Sequence, residues 1–141
     1  MKVLIICTGN SCRSQMAHGF LQSFDKSLIV FSAGTNPSGK INEKAVAVMK
    51  EAGIDISHHK PVSVEKYLDD EWDYVITVCD DANETCPVFS GKVNHRLHAG
   101  FEDPSHVTGT DDYIWSEFRR VREGIRREFY KLYVNQIKPQ L

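Results

Sequence analysis

Hydrophobic and polar positions alternate between two periods along this chain. Lys2 to Ile6 is a short apolar run that gives way to Gly9-Asn10, and it reads as a buried strand. From Gln15 to Phe24 the apolar residues Met16, Phe20 and Phe24 recur with Ala17 and Leu21 beside them, which is helical spacing. Leu28 to Ala33 reads as a second strand, closed by Gly34. Asn42 is an N-cap for a helix carrying Ala45, Val48, Met49 and Ala52, with Gly53 as its stop. Tyr74 to Val78 is a third apolar strand, and Lys92 to His95 a weaker fourth. Ile114, Phe118, Val121, Ile125, Phe129 and Leu132, spaced 4, 3, 4, 4 and 3, form the clearest helical stripe, opposite a face of Arg and Glu.

Strands alternating with helices predict an α/β domain of three layers: a four-stranded parallel sheet with helices on both faces and right-handed crossovers. No linker, repeat or low-complexity tract divides residues 1–141, so one domain is expected. In such sheets ligands sit at the carboxyl ends of the strands. Cys7 and Cys79 each follow a strand, which puts both at one edge, and the loop from Thr35 to Gly39 belongs near it.

With 41% hydrophobic and 26% charged residues the composition is that of an ordinary globular protein. A net charge of −2 argues against nucleic acid as a partner, and any anion must be held by a local site. The run Val3 to Ile6 is too short for a signal peptide or a membrane span, so a cytoplasmic monomer is expected. There the four cysteines, Cys7, Cys12, Cys79 and Cys86, rest as thiols, which leaves catalysis, redox exchange or metal binding as their use.

The segment Cys7-Thr8-Gly9-Asn10-Ser11-Cys12-Arg13-Ser14 lies between strand and helix. Its small residues let the backbone curl so that successive N–H groups point inward as an anion nest, backed by the helix dipole. Arg13 can clamp an oxyanion with its fork of donors. The same field is expected to make Cys7 a thiolate, and a thiolate under a tetrahedral oxyanion is a nucleophile. Ser14 could donate a hydrogen bond to it, and Asn10 suits the left-handed geometry that holds the curl. A plain strand-to-helix turn around a buried Cys is the alternative, and packing does not explain why Arg-Ser follows six places after the Cys.

Cys79 and Cys86 stand with six residues between them, which allows a disulfide if the segment bends. The polar intervening residues suggest an exposed, mobile stretch, where such a bond would be labile. Incidental thiols and a zinc site are the alternatives. The spacing fits no zinc motif, and the six histidines show no metal pattern, with His58-His59 reading as a solvated loop. Asp103, followed by rigid Pro104, is either a turn or a proton donor, with Glu102 a weaker candidate.

Taken together, Cys7 through Ala17 resembles the arsenate reductases built on the low-molecular-weight tyrosine phosphatase fold. The phosphatases usually place Pro where Gln15 stands. The likeness covers the whole chain, including Ser32-Ala33-Gly34, Gly53 to Ser57, and Trp115 to Arg122. Cys79, Ala82, Cys86 and Pro87 match the reductases' Cys-x-x-Ala-x-x-x-Cys-Pro segment. The resemblance implies arsenate as substrate, with phosphate or sulfate able to occupy the loop. It makes Cys7 the nucleophile, Asp103 the acid, and Cys79 and Cys86 a relay emptied by thioredoxin or glutaredoxin, with no resident cofactor. It gives Cys12 no relay role. Some relatives hold potassium with a Glu in the first helix; His18 stands there, so no metal is expected. A tyrosine phosphatase would need only Cys7, Arg13 and Asp103, and an arsenite-binding regulator would leave Arg13 and Asp103 without work.

Overall fold

The computed structural model describes residues 1–80, 82 and 86–141. Four strands, β1 (Lys2–Cys7), β2 (Ile29–Gly34), β3 (Trp72–Thr77) and β4 (Val93–His98), form one sheet in the order β2-β1-β3-β4. Every pairing is parallel, with Ile6 opposite both Ala33 and Thr77. The long helices are α1 (Arg13–Phe24), α2 (Glu43–Glu51) and α3 (Asp111–Leu132), and α3 continues into a π turn over Tyr133–Ile137.

The elements follow the expected pattern with shifts at their ends. Asn42 caps α2 as expected, its side chain accepting from the N–H groups of Lys44 and Ala45. Gly53 takes a φ of +81°, the left-handed turn that stops the helix. The first helix starts two residues earlier than the apolar spacing implied, at Arg13. The weak fourth strand runs Val93–His98 rather than Lys92 to His95; it is a largely exposed edge, so its side chains carry little hydrophobic period.

Successive residues of a strand point to opposite faces. Ser32 of β2 faces α1, where its hydroxyl meets His18 Nδ1 at 2.9 Å. Its neighbour Phe31 turns the other way and packs against Tyr67 at a tilt and against Trp72 edge-on, ring centroids 5.5 Å apart in each pair. That second face is covered by the 3-10 turn Val64–Tyr67, with Ala82 and Phe89 also buried. The core closes around β1, whose Val3 to Ile6 are fully buried, and extends to Phe20, Phe118 and Phe129 of the helical layer. With β1 central, Cys7 ends the middle of the sheet and Cys79 lies just past the adjacent β3, at the carboxyl edge.

Candidate active site

Residues 7–13 close into a loop because its carbonyls are drawn outward. The N–H groups of Thr35, Asn36, Ser38 and Asn42 donate to the carbonyls of Cys7, Thr8, Gly9 and Ser11, at 2.8 to 3.1 Å. Gln15 Nε2 takes the Asn10 carbonyl at 3.1 Å, and the Met16 N–H takes that of Cys12. With consecutive carbonyls facing out, the backbone N–H groups are left to the concave side, which is the geometry of an anion nest. Asn10 sits at φ +52°, as its residue type suggested, and is buried. Its side chain donates to Ser14 Oγ (2.8 Å) and accepts from the Val62 N–H (3.0 Å). Ser14, expected to donate to the Cys7 sulfur, accepts from Asn10 here, which braces the loop.

A cavity of about 270 Å³ opens over this loop, lined by residues 7–13 with Asn36, Ser38, Asp103, Ser105 and His106. The first turn of α1 points its free N–H groups at it, since Cys12 supplies no side-chain cap. Arg13 donates to the Phe101 carbonyl at 3.1 Å and lies 3.4 Å from Asp103 Oδ2, mostly shielded from solvent. Burial works to raise the pKa of Asp103. Hydrogen bonds from the Ser105 hydroxyl and N–H, with the charges of Arg13 and His106, outweigh it and hold the carboxyl below its ordinary value. Anion loop and acid candidate thus face one cavity, and in its resting form the acid is ionised.

The cysteines depart from the sequence reading in one respect. Cys7 was expected as a thiolate; the Cys79 thiol lies against it, and that contact, with burial, raises its pKa against the pull of Arg13. The two touching thiols are both buried and share one proton. Cys79 is correspondingly lowered to about 5, by the Cys7 bond first and, against burial, by the Thr8 hydroxyl 3.3 Å away. Burial pushes Cys12 up to about 12 and raises Cys86 as well, so both remain thiols. Cys79 is buried and Cys86 half-buried, so the described ends of the relay segment are not exposed as the polar composition suggested. The intervening Asp81, Asn83, Glu84 and Thr85, expected to be mobile, lie outside the described residues.

Composition missed several contributors. Thr8, counted only as loop backbone, reaches Cys79 with its hydroxyl, and Ser105 and His106 grip Asp103; the loop from Thr35 to Gly39, expected near this edge, does lie there and with Asn42 shapes the anion loop. His59, expected in solvent, is half-buried with Nδ1 2.9 Å from Gln15 Oε1, because Gln15 turns inward toward the loop. His18 is held as a neutral ring with a pKa of about 3 by burial and by its neighbours His59 and His58. Among the described residues no cluster of His, Cys, Asp and Glu could hold a metal ion.

The family described as low molecular weight phosphotyrosine protein phosphatase matches residues 2–140 of this chain. The chain is similar to arsenate reductase 1 of Staphylococcus epidermidis, at 47% identity over 126 residues, covering 88% of this chain and 89% of that one. Among solved structures it is similar to an arsenate reductase in the phosphate binding state, with a TM-score of 0.79 and 31% identity, over 94% of this chain and 96% of the other. It is also similar to a thioredoxin-dependent arsenate reductase of Corynebacterium glutamicum, with a TM-score of 0.63 and 30% identity, over 96% of this chain and 63% of the other.

Proposed function

We propose that this chain, which belongs to the low molecular weight phosphotyrosine protein phosphatase family, reduces arsenate to arsenite with its own thiols. The observation that carries the reading is the second thiol beside the nucleophile: Cys79 lies against Cys7 and 3.3 Å from the Thr8 hydroxyl of the anion loop. Phosphoester hydrolysis has no use for a sulfur there. Reduction does, because two electrons must leave a thiol pair.

In this reading arsenate enters the loop of Thr8, Gly9, Asn10, Ser11, Cys12, Arg13 and Ser14, and phosphate or sulfate can take its place. Arg13 turns from Asp103 to the oxyanion as a bidentate clamp. Losing Arg13 and gaining a negative neighbour raises the pKa of Asp103, so that it takes a proton it can deliver. The Cys7 proton passes to Cys79, and the Cys7 thiolate attacks arsenic while Asp103 protonates the departing oxygen, which leaves as water. Cys79 gives that proton to an oxygen on the bound arsenic and attacks the Cys7 sulfur. The arsenic–sulfur bond breaks with its electron pair going to arsenic, and arsenite departs, leaving a Cys7–Cys79 disulfide. Cys86 attacks Cys79, which frees Cys7 and leaves Cys79–Cys86 as the bond that an external dithiol reduces. Thioredoxin, which the Corynebacterium relative depends on, or a glutaredoxin fills that role. No flavin or nicotinamide is needed on the chain. A cycle that must return to free thiols suits the cytoplasm, and among the described residues no helix is long and apolar enough to cross a membrane. Cys7, Arg13 and Asp103 also provide what hydrolysis of an aryl phosphate requires, so slow phosphatase activity accompanies the reading.

The test is arsenate-dependent NADPH consumption with thioredoxin and thioredoxin reductase, for the wild type and Cys86→Ser. Continuous turnover in the wild type, and a single equivalent of arsenite in the variant, are expected. Brisk aryl phosphate hydrolysis with no reduction by any thiol donor would sink the reading.

A further inference from the structure

The segment 59–62 holds none of the candidate catalytic groups, yet it grips the anion loop repeatedly. Its Val62 N–H donates to Asn10 Oδ1 at 3.0 Å, and the Val62 carbonyl accepts from Gly34, the register partner of Cys7, at 2.8 Å. Gln15 Nε2 donates to two carbonyls, Asn10 at 3.1 Å and Lys60 at 3.3 Å. Two acceptors at one end fix which way the amide lies, and Oε1 must then accept. The group facing it is His59 Nδ1, at 2.9 Å, so that nitrogen carries the hydrogen. His59 is itself held by stacking on His18, ring centroids 4.5 Å apart and planes 28° apart, and His18 is tied to β2 through Ser32. His18 stays uncharged, so the stack puts no charge repulsion against His59.

The geometry points to His59 as a positioning residue for oxyanion binding. Its Nδ1–H orients the Gln15 amide, Gln15 holds the carbonyl of left-handed Asn10 outward, and the loop keeps its N–H groups turned inward before an anion arrives. The inference rests on the loop being an oxyanion site. Its effect is preorganisation, so it belongs to binding. Once bound, the oxyanion holds the same N–H groups by its own hydrogen bonds, and the chemical step proceeds from the same loop.

Two substitutions separate this role from mere filling of space. His59→Phe keeps a ring to stack on His18 and removes the donor. His59→Asn gives up the ring but places an amide N–H where Nδ1 stood. The probes are inorganic phosphate by calorimetry and arsenate by steady-state kinetics on the full chain, with melting temperatures to show that each variant is folded. Losing the one hydrogen bond in His59→Phe should raise the phosphate Kd and the arsenate KM about fivefold, with kcat changed by less than about twofold. His59→Asn should return both to within about twofold of the wild type. Should His59→Phe not fold, Gln15→Met removes the same link and should raise the phosphate Kd likewise. An unchanged Kd in His59→Phe, or equal losses in the Phe and Asn variants, overturns the inference while leaving the oxyanion site standing. A wild type that binds no phosphate overturns both.

Discussion

At Gly34 the anion loop occupies the space a side chain would need: a Cβ there would lie 2.4 Å from the Thr8 carbonyl oxygen and 3.1 Å from the Asn10 nitrogen. Both contacts are backbone, so neither can swing aside. Gly34→Ala should therefore push β2 and the loop apart, lowering stability by about 1–3 kcal/mol and weakening phosphate binding. Urea unfolding and calorimetry check the two effects, and wild-type values in both would show that the loop has slack. Sequence made Asn10 and Arg13 legible because their roles follow from residue type and local spacing. It put Cys79 on the same edge but could not show that this thiol lies against Cys7 and works to raise its pKa, because the two are far apart in sequence. The sharing of one proton is itself measurable. Thiolate ultraviolet absorbance should show one step near pH 5, which is lost in Cys79→Ala and displaced upward in Thr8→Val, since Cys79 draws its lowering from the Cys7 and Thr8 hydrogen bonds. Persistence of that step in Cys79→Ala would return the thiolate to Cys7.

Elements were legible where their signals are local: the buried runs of β1 and β3, the Asn42 cap, the long stripe of α3. The joints between elements were not. The Arg and Glu face of α3, which sequence shows only as the side opposite the apolar stripe, partly serves to fasten α2. Arg122 Nη1 donates to the Val48 carbonyl, one of the last four of α2, at 2.9 Å, and Arg119 and Arg122 both clasp Glu51. These bonds, from Arg119 and then Arg122, bring Glu51 from an ordinary 4.5 down to about 2. A lowered carboxylate pKa stabilises the fold above the unfolded value and loses that contribution as the folded form takes up its proton. Glu51→Gln should therefore lower the urea midpoint at pH 7, and the gap from the wild type should close as pH falls from 4.5 to about 2. Because Glu51 and Arg119 are solvent-exposed, high salt should shrink the gap as well. A difference that persists unchanged at the acid end would mean that Glu51 acts through packing.

For the whole molecule, alternation of strands and helices foretold a parallel sheet and put Cys7 and Cys79 on one edge, but the order β2-β1-β3-β4 follows from long-range pairing that no local pattern encodes. That order decides the site's character. The cavity over the loop is walled from the end of β1, the strip after β2, the start of α1 and the segment holding Asp103, while the segment 59–62 braces the loop from behind. Unfolding must disperse all of these, so the unfolded chain has no oxyanion site and ligand binding adds wholly to global stability. Phosphate at about 100 times its Kd should contribute about 2.7 kcal/mol, which for a chain of 141 residues corresponds to a rise in melting temperature on the order of 10 °C. Sodium chloride at equal ionic strength should not reproduce the rise, because the net charge of −2 offers no general anion attraction. Arg13→Ala should abolish the phosphate-dependent shift whatever it does to the melting temperature itself, since the comparison is within one variant. A phosphate shift that survives in Arg13→Ala would place the anion elsewhere on the molecule and detach the loop from the function proposed for it.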